Sequence, residues 1–353
     1  MRLVRGAAAG GVALGCLALT AAPAAAHTVT GVQPTNFKSR IVSVSPRVAG
    51  ITVRLLDLGN RVQLVNRTGS DVIVTGYQGE PYLRVGRQGV FENLHSPAVY
   101  LNRPTTGPTT STTLPPAANP SAAPQWHRTG GGDEVRWRDR RTRWEGPTPK
   151  GVEAGSVVST WALDLRQGDS AISVAGRIVW VPGPSVIPWL VVAVGLLALT
   201  ASLAFLSRWG PSLAAALAVL IAVDVVHSFG VAAATRDAIA AQVGRVVLGG
   251  FIGTLAWLVG AFAIGRLQGG REEGLVGAGL AGILLALFGG FGDLTALARS
   301  QVPYAFPAVT ARAAVAIDLG VGLGLAAAVA LVIRRHPEAT RSPRQNLLRW
   351  AEG

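Results

Sequence analysis

The chain has 353 residues, of which 49% are hydrophobic and only 14% charged, and its mean hydropathy is +0.38. Soluble domains carry roughly a quarter charged residues, so this composition excludes an ordinary soluble globular protein and points to lipid. The formal net charge is +13, nearly all of it from arginine, because Lys38 and Lys150 are the only lysines. That charge is spread over segments on both sides of a predicted membrane, so topology and anionic lipid account for it and nucleic acid does not.

Residues 1–26 read as a signal peptide: Arg2 and Arg5 begin it, Ala7 to Ala22 is apolar but short, and Ala24-Ala25-Ala26 supplies small residues for cleavage before His27. The single cysteine, Cys16, lies inside that segment, so the mature chain has no disulfide and no thiolate metal site. Met1 is the only methionine, which excludes a methionine-rich copper(I) path.

An extracytoplasmic β-domain is expected over 27–183. Ile51–Leu55, Arg61–Val65 and Asp71–Thr75 alternate apolar and polar residues, separated by turn signals at Leu58-Gly59-Asn60, Asn66–Ser70 and Gly76–Pro81. Short strands this closely spaced suit a sandwich or small barrel. Residues 104–124 are rich in Thr, Pro, Ala and Ser and read as a flexible insertion. Strand patterns resume at Glu134–Arg138, Val157–Leu165 and Ala171–Val181.

From residue 184 to 335 the chain becomes a bundle of about five apolar runs: Val186–Leu206, Leu213–Ala233, Val243–Ile264, Gly274–Ala296 and Ala308–Ile333. Each is near the roughly 20 residues that span a bilayer. Arg334, Arg335, Arg341, Arg344 and Arg349 make the tail, 336–353 with its two preceding residues, the most basic loop or end. The positive-inside rule places that tail in the cytoplasm, and five spans place the β-domain outside a bacterial plasma membrane. Gly249 with Gly253, and Gly320 with Gly324, have the small-xxx-small spacing that lets helices approach closely, within the bundle or in a homo-oligomer.

Ionisable groups within the spans are costly, roughly 2.5–3.5 kcal/mol each on insertion scales, and face partners or cavities. Asp224 and His227 are one turn apart on the second span, Asp293 is near the outer end of the fourth and Asp318 is on the fifth. Arg245 and Arg312 start the third and fifth spans on the same side and are candidate ion-pair partners. Two readings stand: a proton, metal or substrate site opening outward, or an ion-pair network that pins the helices together.

In the β-domain, Arg136, Arg138, Arg140, Arg141 and Arg143 interleave with Trp137 and Trp144. They form either a strip for an anionic polymer or lipid headgroup, or a strand edge blunted by charge. Glu80 and Glu92 lie in a turn-rich aromatic stretch with nothing to set their separation. Gly277 to Gly282 spells the dinucleotide fingerprint but lies inside an apolar run with no preceding strand, so it is helix packing. No P-loop, nucleophile elbow or zinc-protease motif is found, and no enzyme is implied.

The sequence Ala24-Ala25-Ala26-His27, followed by a β-rich domain, resembles the start of periplasmic copper-resistance β-sandwich proteins. That resemblance implies Cu or Zn at an N-terminal His27, whose amine and imidazole form a chelate; the chain lacks a clear Asp-x-His pattern to complete the site. The domain order as a whole, with the stretch Gly76 to Asn102, resembles conserved actinobacterial membrane proteins that pair a secreted β-domain with a helical bundle. It implies a source and an architecture but no activity. The sequence thus predicts a non-enzymatic envelope protein whose β-domain binds a ligand, ion or protein partner and whose bundle anchors or relays that event. The alternative is a transporter or copper-handling factor working through the intramembrane Asp and His residues.

Overall fold

The computed structural model describes residues 31–103 and 114–336. The segment expected to be a signal peptide, His27, part of the Pro/Thr-rich insertion and the tail after His336 lie outside the described residues. The described residues divide into two compact units, Thr35–Gly183 and a second that includes Pro184 to His336.

The first unit is an antiparallel β-domain with ten strands among the described residues: β1 (Phe37–Ser45), β2 (Ile51–Leu56), β3 (Arg61–Asn66), β4 (Val72–Thr75), β5 (Pro81–Gly86), β6 (Gly89–Asn93), β7 (Trp126–Gly130), β8 (Glu134–Arg138), β9 (Val157–Gln167) and β10 (Ser170–Trp180). A short helix, α1 (Pro97–Leu101), stands between β6 and β7. Seven strands form one sheet in the order β1-β10-β9-β4-β5-β6-β7, and β2-β3-β8 form a second. The alternation seen in sequence sorts each strand's two faces. In β9, Trp161, Leu163 and Leu165 are buried while Ala162, Asp164 and Arg166 are exposed. The buried faces of both sheets meet in one core that includes Val62, Leu64, Trp137, Leu163, Ile172 and Ile178. Burying each such side chain stabilises by roughly 1.5–3 kcal/mol.

Two glycines are required by close approach. Gly59 has φ +92°, and a Cβ there would lie 2.7 Å from both Ser39 Cβ and the Thr142 carbonyl oxygen. Only glycine closes the β2–β3 turn at this position. At Gly176 in β10, a Cβ would run into the Trp161 indole ring across the strand pair.

The second unit holds five helices long and apolar enough to cross a membrane: α2 (Ile187–Phe205), α3 (Trp209–Ala233), α5 (Phe251–Gln268), α6 (Gly274–Ala298) and α7 (Ala308–Arg335). The protein is therefore a β-domain followed by an apolar helical bundle, a multi-pass membrane protein. α7 is the central helix, with 61% of its most apolar window buried against 17% for α2. Gly320 and Gly324 meet α2 at Ala193, Leu196, Leu197 and Thr200, close enough that a Cβ at either would collide. The Gly249–Gly253 pair faces open space instead.

The third span differs from its expected position. The apolar run from Val243 is split into α4 (Ile239–Gly249) and α5, with Gly250 outside helical geometry at φ −96°, ψ 33°. Arg245 accounts for the break. It ion-pairs with Asp237 and donates to Thr235 Oγ1 at 2.8 Å, so the first part of the run is held to a polar loop. The Gly249-Gly250 pair then gives the backbone freedom to turn.

Candidate functional site

The intramembrane ionisable residues come together. Asp224 and His227 lie on α3, and both are buried despite being ionisable. Trp257, in the middle of α5, donates its indole N–H to Asp224 Oδ2 at 2.6 Å. His227 Nε2 lies 2.9 Å from Asp293 Oδ2 on α6. His227 also stacks at 5.3 Å between centroids on Tyr304, from the segment joining α6 to α7. Gly230 makes that stacking possible, because a Cβ there would occupy the Tyr304 ring.

Asp318, on α7, is 0% exposed. Neither of its carboxylate oxygens has a hydrogen-bond partner. Its neighbour is the other acid: a Cβ on Gly289 would lie 2.5 Å from Asp224 Oδ1 and 2.9 Å from Asp318 Oδ2. The two carboxyls therefore flank one glycine of α6. That glycine sits in a widened turn, Ala286–Phe291, where Gly292 N–H reaches back five residues to the Leu287 carbonyl at 3.1 Å. Such π-type turns recur at functional sites because they displace one residue from the regular ladder.

A cavity of about 340 Å³ opens beside this group, lined by Asp224, His227 and Asp293 together with Ser228, Gly289 and the apolar Phe251 and Phe288. His227 Nδ1 is buried and has no hydrogen-bond partner. Among the described residues no group of three or more His, Cys, Asp or Glu side chains is arranged to hold a metal ion.

The two arginines expected to pair with these acids are engaged elsewhere. Arg245 pairs with Asp237. Arg312 donates to the carbonyl oxygens of Ala296 at 3.1 Å and Arg299 at 2.7 Å, closing the end of α6. Sequence spacing could not separate these outcomes, since both arginines stand near the start of apolar runs on the same predicted side as the acids. Trp257, Tyr304 and Gly289 were not singled out from the sequence. Only their positions opposite α3 and α7 mark them, and that requires the packing.

In the β-domain the arginine strip is largely neutralised. Arg136 pairs with Glu134 at 2.7 Å, Arg140 with Glu145 at 2.7 Å, Arg141 with Asp139 at 2.8 Å, and Arg143 with Glu145. Burial opposes ionisation of Glu145, but Arg140 and Arg143 prevail and hold its carboxyl below the usual carboxylate range. Arg138 is half-buried, and burial, with Arg143 and Arg61 nearby, pushes its guanidinium below its ordinary value. Trp137 points into the core and donates to Asp139 Oδ2 at 3.0 Å. Trp144 packs on Phe37 with ring centroids 5.6 Å apart. Neither tryptophan is presented alongside the arginines as a flat recognition surface.

Register reveals a different row on the outer face of the seven-stranded sheet. Arg166, Ile73, Arg84, Phe91 and Arg128 are successive cross-strand partners. The Arg84 guanidinium lies 4.2 Å from the Phe91 ring centre and 5.2 Å from that of Trp126. Glu80 is buried and structural: it accepts from Ser96 Oγ at 2.6 Å and from the Gln78 N–H at 2.8 Å. Glu92 lies 3.8 Å from Arg103.

No protein family, curated protein or solved structure matches this chain.

Proposed function

We propose that this is a non-enzymatic, multi-pass protein of the bacterial plasma membrane, with its β-domain outside and its C-terminus in the cytoplasm, that moves a small cationic or proton-coupled cargo through its helical bundle. One observation carries this reading: Asp224, His227 and Asp293 border one cavity between helices that are otherwise apolar. A structural network inside lipid balances acids with bases. This one sets the carboxylates of Asp224, Asp293 and Asp318 against the single imidazole of His227, and the nearby arginines are used elsewhere. An excess of carboxylate around a cavity suits positive charge. The β-domain then meets cargo or a partner protein before the bundle does.

The test uses the full chain reconstituted in liposomes with a trapped pH-sensitive dye. An imposed proton gradient is expected to collapse faster than in protein-free vesicles, and Asp224→Asn is expected to slow it at least tenfold. Equal rates with and without protein would defeat the reading. A second reading, in which the bundle merely anchors a ligand-binding β-domain, draws on the first unit having its own complete core. A chimera carrying Thr35–Gly183 on an unrelated anchor, if it replaces the natural protein in cells, would favour that second reading.

A further inference from the structure

We infer that the ion this site takes is a proton, held between Asp224 and Asp318 beside Gly289 and exchanged with the cavity through Asp224 and the His227–Asp293 pair. The inference deepens the transport reading above by naming the ion, and its test separates the two.

The argument begins with what surrounds Asp318. It is fully buried, and no group donates to either of its oxygens. The charged form of a carboxylate in that position would have lost its hydration and gained nothing in return. α2 carries no titratable side chain. α3 contributes Asp224 and His227, and α5 contributes the Trp257 N–H. α6 contributes Asp293, and the segment before α7 contributes Tyr304, which faces His227. On α7 itself Arg312 is occupied by carbonyl oxygens. The group nearest Asp318 is thus a second carboxyl, and two like charges this close in a dry site cannot both persist. A proton on one of them removes a charge and supplies the missing hydrogen-bond donor at once.

The alternatives fit less well. A metal ion needs several ligands at short range, and no such grouping exists among the described residues. A proton needs one oxygen.

The pair is also placed for exchange. Asp224 lines the cavity and Asp318 does not, so Asp224 is the door to an otherwise closed acid. When the proton passes, an O–H bond on Asp318 breaks and one forms on Asp224, with the charge moving the opposite way. His227 stands one helical turn along the same cavity wall, with Nδ1 uncommitted and Nε2 tied to Asp293. An imidazole with one nitrogen anchored and the other open accepts a proton on one side and releases it on the other. Gly289 sets the spacing, since any side chain there would wedge the acids apart.

The experiment is infrared spectroscopy of the full chain in lipid near neutral pH, comparing H₂O with D₂O. A buried protonated carboxyl gives a carbonyl band that shifts on deuteration. Wild type is expected to show it, and Asp318→Asn to lose all of it, while Asp293→Asn retains it. As a measurement that needs no variant, wild-type protein in lipid is treated with a hydrophobic carbodiimide and its peptides are weighed. The adduct is expected on Asp318 or Asp224. Absence of the band in wild type, its survival in both Asp318→Asn and Asp224→Asn, or an adduct on neither acid overturns the inference. A band without proton flux in the liposome assay leaves the proton site standing and removes the transport reading. Flux without a band does the reverse.

Discussion

Gly289 stands between two carboxyls, and Asp139 holds an indole and a guanidinium. At Gly289 a methyl group would press on both Asp224 and Asp318. Overpacking of this kind costs about 1–3 kcal/mol. Gly289→Ala is expected to lower the thermal stability of the detergent-solubilised protein by that order, whereas Gly195→Ala, where a Cβ meets open space, is expected to leave it unchanged. Asp139 is completely buried, accepts from the Trp137 indole and pairs with Arg141. Arg141 in turn lies over the Tyr77 ring at 4.8 Å and reaches the Thr75 carbonyl at 3.3 Å. Asp139→Ala leaves the part-buried Arg141 guanidinium without its anion and the Trp137 N–H without its acceptor, at a cost of about 1–3 kcal/mol, readable by chemical denaturation followed through tryptophan fluorescence. Tyr77 belongs to the same cluster, donating to Asn102 Oδ1 and accepting from the Arg140 N–H at 3.0 Å. Burial, reinforced by the Asp139 charge, pushes its hydroxyl up to about 12. The neutral phenol is the favoured form, so its contribution is complete below the ordinary tyrosine value of about 10 and is lost as pH rises through the folded value. In a spectroscopic titration, the wild-type minus Tyr77→Phe difference is expected to place one tyrosine near 12; a midpoint at the ordinary value would contradict this.

At the scale of elements, strands and helices were legible for different reasons. Alternation in Arg61–Val65 and Val157–Leu165 reports one buried face, and both became strands, β3 and β9. The apolar runs became helices because a backbone in lipid must satisfy itself. What the runs did not disclose was where a helix breaks. Val243 to Ile264 is apolar enough to read as one span, yet Arg245 and Gly250 divide it. Nor did spacing distinguish the two glycine pairs. Gly320 and Gly324 seat α7 against α2, while a Cβ at Gly249 or Gly253 would meet open space. Gly320→Leu is therefore expected to separate α2 from α7 and to make the protein susceptible to proteolysis between them, measured as cleavage rate in detergent. Gly253→Leu is expected to leave that rate unaltered. The strip from Arg136 to Arg143 followed the same logic. Its charges were plain in the sequence, but their pairing with Glu134, Asp139 and Glu145 depended on short-range folding of β8 and the turn after it.

For the whole molecule, the broad surfaces of Leu190, Val191, Leu199, Leu258, Phe262 and Val276 are exposed on the bundle. Apolar area on that scale is not tolerated in water, so the protein is expected to remain in the membrane fraction after salt and carbonate washes and to be released only by detergent. The proposed orientation has its own check. A phosphatase fused after Gly183 is expected to be active, and the same reporter fused after Arg335 inactive; the opposite pattern would invert every statement about inside and outside. The Pro/Thr-rich stretch falls between α1 and β7, within the β-domain. Its described part, from Leu114, makes turns closed by Ala118 N–H to the Pro115 carbonyl and Ala122 N–H to the Asn119 carbonyl.

Composition and periodicity alone determined the class of this protein: strands first, then five apolar helices. Those signals are local, set by whether a residue meets water, core or lipid. The sequence also marked Asp224, His227, Asp293 and Asp318, because an ionisable group in an apolar run is conspicuous wherever it lies. Only the tertiary structure decided which of them share a wall, that Trp257 and Tyr304 join them, and that the arginines do not. A carboxylate's partner is chosen by helix rotation and packing. Those are fixed by close contacts such as Gly289 between two acids and Gly320 against α2, which join residues far apart in the chain and leave no mark in its local pattern.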